Sequence, residues 1–545
     1  MIHPRRAFRP DKLRQESRSE RKATILLIQN KRVHMNHVRR CLVAILFLLP
    51  TLLFSQKEQP KVDWDAVTRI REEGLQRSQV VDIVEYLTDV LSSRLSLSEH
   101  IKKAQTWAKD KMGTIGLTNV QIEPFMDYGN AWDNEYFSIQ MLEPTYVPMM
   151  GFPLAYTPST QGKISCLAVI VDLQTKADCE KYRGKLKNAA VLVSAPLALD
   201  LANLPRDITR RTDEELKTLA ETVILPGPRV VPPPLLNPEL LKPEERIEFL
   251  RSEGAAVVLQ CDGGSFGYVR GFSRPGSNND KWSREKDLAS LPIVAVTPEH
   301  YNRMYRILKR DIPVRIEIEV RNRIGESVEK ACNVIGEIPG SDLKNEIVMI
   351  GAHLDCWHES PGASDNASGC AVALEAARIL KAIGVQPRRT IRVALWSGEE
   401  QGLHGSTQYV LAHFGDPQKG TKPDYEKFSV YFNQDYGAGA YRGINLQGNE
   451  RVRRIFTAWM EPFRDMGMTT IAFQSVGSTD HVPFDNAGLP AFQFLQDAVG
   501  IGGHSNMDVF DTLVPDDLKK NAVIMASFAY HAAMSDQRIP RKPLK

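Results

Sequence analysis

The sequence predicts an α/β protein, a mainly parallel central sheet with helices on both faces, carrying an inserted β-rich domain. Three observations lead there. In the C-terminal half, largely apolar runs alternate with helical periodicity, as strands buried on both faces require. From about Asp127 to Pro298 the character changes to short β-branched runs separated by Gly and Pro clusters. A chain of 545 residues also exceeds what one hydrophobic core organises, so more than one domain is expected.

Taken in order, Asp65 to about Leu117 reads as helices, Val80 to Leu91 and then Ser98 to Met112 with Ser98 placed as a cap. The insert offers the runs Leu167–Val171, Ala190–Val193, Ala256–Leu259 and Pro292–Val296, and its Pro-rich stretch Pro226 to Pro243 reads as a surface loop. Val314 to Val320 alternates as a half-buried strand. Ile347–Ala352, Thr390–Trp396, Phe428–Phe432 and Leu489–Leu495 then read as strands, with helices at Ser368–Ile383, Arg451–Met466 and Asp516–Met534. The expected organisation is an N-terminal extension and signal peptide over 1–56, a first part of the main domain over 57–126, the insert over 127–299 and the rest of the main domain over 300–545.

With 42% hydrophobic and 25% charged residues and a net charge of +3, the composition is that of an ordinary globular protein. Basic residues form no stripe with interleaved aromatics, so nucleic acid is excluded as a partner. Met35, a candidate start, opens a basic segment through Arg39-Arg40 that precedes the apolar run Cys41 to Phe54. That run is shorter than the ~20 residues of a membrane span and has the shape of a signal peptide, so export to the periplasm or medium is expected. No cysteine follows the run to make it a lipoprotein signal. The seven cysteines include no C-x-x-C pair, which disfavours a cysteine zinc site, and disulfides are permitted but not required at this size.

The predicted strands are followed by acidic or imidazole-bearing residues. The first gives His353-Leu354-Asp355 and then Asp365 before a helix; the next gives Glu399-Glu400; later come Asp435 and His504. In parallel sheets ligands sit beyond the carboxyl ends of strands. Zinc takes imidazole and carboxylate in a roughly tetrahedral shell with one position open. His353, Asp365, Glu400, Asp435 and His504 supply two such shells if one carboxylate is shared, and Asp365, before a helix N-terminus, suits the shared position. Asp355 is placed to accept the other ring proton of His353, and Glu399, left without a metal, is the candidate general base. Any one of these is weak, since a lone strand-end histidine is more often structural; His358, His404, His413 and His481 are read that way.

Together, His353-x-Asp355, the Asp365 turn, Glu399-Glu400 before Gly402, Asp435 and His504 resemble, in order, the pattern of the M28 zinc peptidases. Leu395 to Gly402 and Gly477-Ser-Thr-Asp480 look most like its carboxypeptidase Q-like branch, and the insert looks like a protease-associated domain. The resemblance implies two zinc ions, one on His353 and Asp435, the other on Glu400 and His504, bridged by Asp365, with Glu399 as base and a cis peptide at Asp365-Asn366. Cys356 departs from the small hydroxyl residue such sequences often carry there. The implied activity is cleavage of dipeptides or of an N-terminal residue from short peptides. A carboxypeptidase is the alternative, with Asp480 a candidate for holding the substrate terminus. A one-zinc glutaminyl cyclase is disfavoured by the presence of both His353 and Asp435, and a non-catalytic scaffold by the intact ligand set. The insert is a candidate surface for a homodimer.

Overall fold

The computed structural model describes residues 60–198, 210–223, 239–261, 267–270, 290–497 and 503–543. The expected extension and signal peptide, and most of the Pro-rich loop, lie outside these residues. Among the described residues no helix is long and apolar enough to cross a membrane.

The sheet runs in the order Thr470–Ala472, Tyr441–Asn445, Ala491–Gln496, Phe428–Asn433, Leu343–His353, Arg389–Trp396, Arg315–Ile338, and on through Ile164–Ile170, Ala190–Leu192, Val257–Cys261 and Ile293–Val296 to Gly151–Pro153. At its centre, Ala491–Gln496, Phe428–Asn433, Leu343–His353 and Arg389–Trp396 are mutually parallel. Their residues are almost all buried because both faces are covered. Val348 and Ile350 point into one apolar cluster with the helices Ser368–Ala382 and Pro515–Met534, and Ile347 and Met349 into the other with Tyr409 and Phe484. Parallel strands need crossover helices, which is what the alternation in the sequence encodes.

Long strands, Thr118–Glu143 and Arg315–Ile338, pair antiparallel along most of their length and join the catalytic half to the insert. The first crosses position 127, so the sheet is continuous through that expected domain edge, whereas position 299 falls in the helix Pro298–Leu308. The insert also departs from the β-rich expectation. Its strands Ile164–Ile170, Ala190–Leu192, Val257–Cys261 and Ile293–Val296 are parallel, with helices Pro243–Ser252 and Pro298–Leu308 packed on opposite faces. Those helices begin with proline at a first-turn position, which set them among the Pro-rich segments that read as loop.

Elsewhere the local signals act as expected. Ser98 caps Glu99–Ile115 by accepting the Ile101 N–H at 3.2 Å. The helix expected over 451–466 is α-helical only from Arg453 to Met460, because Pro462 stops it and Glu461–Met466 tightens into a 3-10 turn. The six described cysteines are all free thiols.

Candidate metal centre

His353 is the last residue of its strand and pairs in register with Trp396, after which the chain turns through Glu399 and Glu400. Asp435 follows the neighbouring strand, which ends at Asn433, and His504 follows the one beyond it, ending at Gln496. Four adjacent parallel strands therefore release their chains toward one point. Asp365 arrives on the turn Ala363–Ala367, where φ/ψ is non-helical at Asp365 and Asn366 and their peptide bond is cis, as the family resemblance implies.

The side chains converge tightly. His353 Nε2 lies 3.1 Å from Asp365 Oδ1, 3.0 Å from Asp435 Oδ1 and 4.0 Å from Glu399 Oε2. His504 Nε2 lies 3.1 Å from Asp365 Oδ2 and 2.8 Å from Glu400 Oε2. The two oxygens of Asp365 thus face the two imidazoles separately. Donor atoms of His353, Asp365 and Glu400 form one group able to hold a cation, and those of His353, Glu399 and Asp435 another.

The electrostatics fit a cation. Asp355, Asp365, Glu399, Glu400, Asp435 and Asp480 crowd around two imidazoles, and most of these carboxylates are buried. Burial, followed by the Asp365 carboxylate, pushes Glu400 up to about 7. Burial lifts Asp480 to about 8 and holds Glu399 well above the usual carboxylate range, with Asp435 and Asp480 adding to the push on Glu399. Burial opposes a charge on His353 and His504, yet the surrounding carboxylates outweigh it and raise both. Glu400 Oε1 is buried with no hydrogen-bond partner, an acceptor left over for something the protein does not supply. A divalent ion held here would relieve the repulsion and give that oxygen a partner. Zinc accepts this mixture of imidazole and carboxylate donors.

One expected contact is made differently. The Nδ1 of His353 faces the backbone oxygen of Asp355 at 2.9 Å, while the Asp355 carboxylate stands 3.9 Å away. That carboxylate instead accepts the N–H groups of Glu399 and Glu400 at 3.3 and 3.4 Å, and the Ser96 hydroxyl at 3.3 Å. Asp355 thereby orients the Glu399-Glu400 turn, and its main chain, not its side chain, orients His353. Asp480 is buried and accepts the Ser406 hydroxyl at 2.5 Å. None of the four histidines read as structural falls in either cation-holding group: His358 bonds Pro153 O and packs on Trp132, His404 packs on Tyr128, His413 bonds Glu123, and His481 is fully buried.

Sequence reasoning missed two supports of this centre. Arg94, wholly buried, donates to the carbonyls of Leu354, Pro361 and Gly362 and so ties both ends of the loop from His353 to Asp365. A lone arginine in the run Leu91 to Leu97 was the available signal. Asp508 accepts the N–H groups of Ser364 at 2.7 Å and Asp365 at 3.0 Å, and nothing in its spacing announces that.

Residues 333–529, the span that holds every one of these site residues except Arg94 and Ser96, match the model of peptidase family M28. That stretch of the chain is similar to the M28 peptidases. Carboxypeptidase Q of Pongo abelii is 23% identical over 485 residues, 87% of this chain and 90% of the relative. Among solved structures, an M28 peptidase precursor from Shewanella amazonensis SB2B superposes with a TM-score of 0.62 at 24% identity, covering 88% of this chain and 99% of its own. The zinc aminopeptidase BSAP from Bacillus subtilis superposes with a TM-score of 0.53 at 18% identity, covering 84% and 95%. The last two likenesses establish the fold, a mixed α/β sheet with helices on both faces.

Proposed function

We propose that this protein is an exported exopeptidase that uses two zinc ions to hydrolyse dipeptides or to remove the N-terminal residue of short peptides. The observation that carries the reading is the placement of Asp365, one oxygen toward His353 and the other toward His504, with Asp435 and Glu400 completing a pair on each side. In this reading His353 and Asp435 would hold one ion and Glu400 and His504 the other, with Asp365 shared. Such cations would supply Lewis acidity toward a peptide carbonyl and lower the pKa of water.

The chain's own groups do the rest. Glu399, buried at the rim of the cluster, takes a proton from the attacking water and returns it to the leaving amine, a role that a raised carboxylate pKa favours. Asp355 holds the Glu399-Glu400 turn through its two N–H groups, so base and ligand move together. A carboxypeptidase is the second reading, favoured by the carboxypeptidase Q relatives that match most of the chain. Export rests on the segment from Met35 to Gln56.

The test is to purify residues 57 to 545, count zinc per chain, and assay unblocked, N-blocked and C-blocked dipeptides with and without chelator. Two zincs and chelator-sensitive cleavage confined to peptides with a free amino end are expected. Cleavage of N-blocked peptides would move the assignment to carboxypeptidase, and an inert, metal-free protein would overturn it.

A further inference from the structure

The two histidines of the centre are held in different ways. His353 is 1% exposed and fixed by the register of a central strand. The His504 side chain is 36% exposed, and its backbone sits at φ +59°, a left-handed conformation that a residue with a β-carbon keeps only where its surroundings enforce it. Hydrogen bonds flank His504 on either side, and several of them come from the insert.

On the N-terminal side, the buried carboxylate of Asp497 accepts the N–H of Arg211 at 2.9 Å and the guanidinium of Arg210 at 3.3 Å, while Arg211 Nε donates to Gln496 O at 3.2 Å. Arg210 and Arg211 lead into the helix Asp213–Glu221, which packs on the strand Thr470–Ala472 and anchors this arm of the insert on the catalytic half. On the C-terminal side, Asn506 and Val269 exchange two bonds, Val269 N–H to Asn506 Oδ1 at 2.8 Å and Asn506 N–H to Val269 O at 3.0 Å. Asn506 Nδ2 adds a bond to Gly267 O at 3.2 Å. Two residues further on, Asp508 fastens the same stretch to the Asp365 turn. Neither Arg210-Arg211 nor Gly267–Val269 lies in the part of the chain that matches the family model.

We propose that the insert is a working part of the metal centre: through Asn506 and Asp497 it holds His504 against Glu400 and Asp365, and so sets the affinity of the second cation without touching the first. This inference rests on the two-cation reading above. Asn506, Arg210 and Arg211 are positioning residues, remote from the reacting atoms. Groups that orient metal ligands from behind typically govern affinity by about 10- to 100-fold, and the asymmetry predicted here follows from His353 having no such dependence on the insert.

The experiment is a zinc titration of the full chain against a competing chelator, comparing wild type with Asn506→Ala, Asn506→Asp and Arg210→Ala. Wild type should take up two zincs. Asn506→Ala should bind one with unchanged affinity and the other about 10- to 100-fold more weakly, with the melting temperature of the metal-free protein unmoved and turnover recovering at saturating zinc. Asn506→Asp, which keeps the acceptor for Val269, should fall between, and Arg210→Ala, changed at an exposed guanidinium where folding is not at risk, should move the same zinc by less. Two unaltered affinities in Asn506→Ala and Arg210→Ala would overturn the proposal, as would equal weakening of both zincs. A wild type that binds fewer than two zincs would instead remove the two-cation reading on which it stands.

Discussion

The catalytic half and the insert are built alike and do different things. Each lays parallel, apolar strands between helices, and in each successive side chains alternate between two buried faces. Their strand ends differ. In the catalytic half they release His353, Glu399, Glu400 and Asp435 into a cluster where carboxylates repel one another and Glu400 keeps a spare buried oxygen. In the insert the polar groups at the same position close on each other: Ser194 N–H donates to the Tyr301 hydroxyl at 2.9 Å, its Oγ accepts the Cys261 N–H at 3.2 Å, and Thr297 bonds His300 at 2.9 Å. Among the described residues neither group of candidate cation ligands includes an insert residue. Topology therefore offers a place for chemistry in both halves, and unsatisfied polar groups decide which place is used.

The largest expected effect breaks that comparison most directly. Glu399→Gln keeps shape and removes the proton acceptor, so turnover of an unblocked dipeptide should fall by about 10³-fold at unchanged zinc content. The strand-end change Ser194→Ala in the insert should leave turnover within about twofold, since it removes only a bond among satisfied groups. If Ser194→Ala damaged turnover as Glu399→Gln does, the strand ends of the two halves would not be functionally distinct.

Metal removal sharpens the comparison thermodynamically. Zinc bound by the native state alone should, at ~1,000 times its dissociation constant, stabilise the chain by about 4 kcal/mol per ion, read as a rise in unfolding midpoint on adding zinc to the chelated protein. No rise would mean that the native cluster does not bind zinc.

What the sequence made legible follows the same division. The strands around Ile347–Ala352, Thr390–Trp396 and Phe428–Phe432 were visible because burial on both faces leaves an uninterrupted apolar run. The candidate ligand residues stood out because imidazoles and carboxylates recur at successive strand ends in one order. Arg94, Asn506 and Asp508 were not, since they work through backbone carbonyls and amides, whose partners are chosen by the fold and leave no spacing. The Asp355 contact was misassigned for that reason, a main-chain oxygen standing where a carboxylate was expected. In the insert, helices opened by Pro243 and Pro298 were lost among turn signals.

A smaller effect asks whether the halves share stability as they share a sheet. Leu259 in the insert and Ile350 in the catalytic half are both fully buried. Replacing either by alanine should cost about 2–5 kcal/mol. Because the two long strands run through both halves, one unfolding transition is expected in each variant, with turnover per folded molecule retained in Leu259→Ala. Two separated transitions in Leu259→Ala would show that the insert melts alone, and would make its hold on His504 a property that heat could release before the catalytic half unfolds.

The smallest effect separates acid sensitivity at the strand ends from acid sensitivity elsewhere in the same half. Asp63 caps the helix Trp64–Gln76, accepting the Ala66 N–H at 2.9 Å and the Tyr530 hydroxyl at 2.7 Å, and these bonds hold its carboxyl below the usual range. A carboxyl with a lower pKa in the native state than in the unfolded chain stabilises the fold when ionised. Its contribution is therefore complete above the unfolded value of about 3.9 and fades as pH falls through the native one. Asp63→Ala should lower stability by about 1 kcal/mol at pH 7, and the gap to wild type, read from urea midpoints, should narrow steadily below pH 4. A gap unchanged at pH 3 would mean that the bonds, not the charge, carry the cap. Because Asp63 lies on a helix cap apart from the ligand cluster, wild type and variant should release zinc over the same pH range as the ligands take up protons.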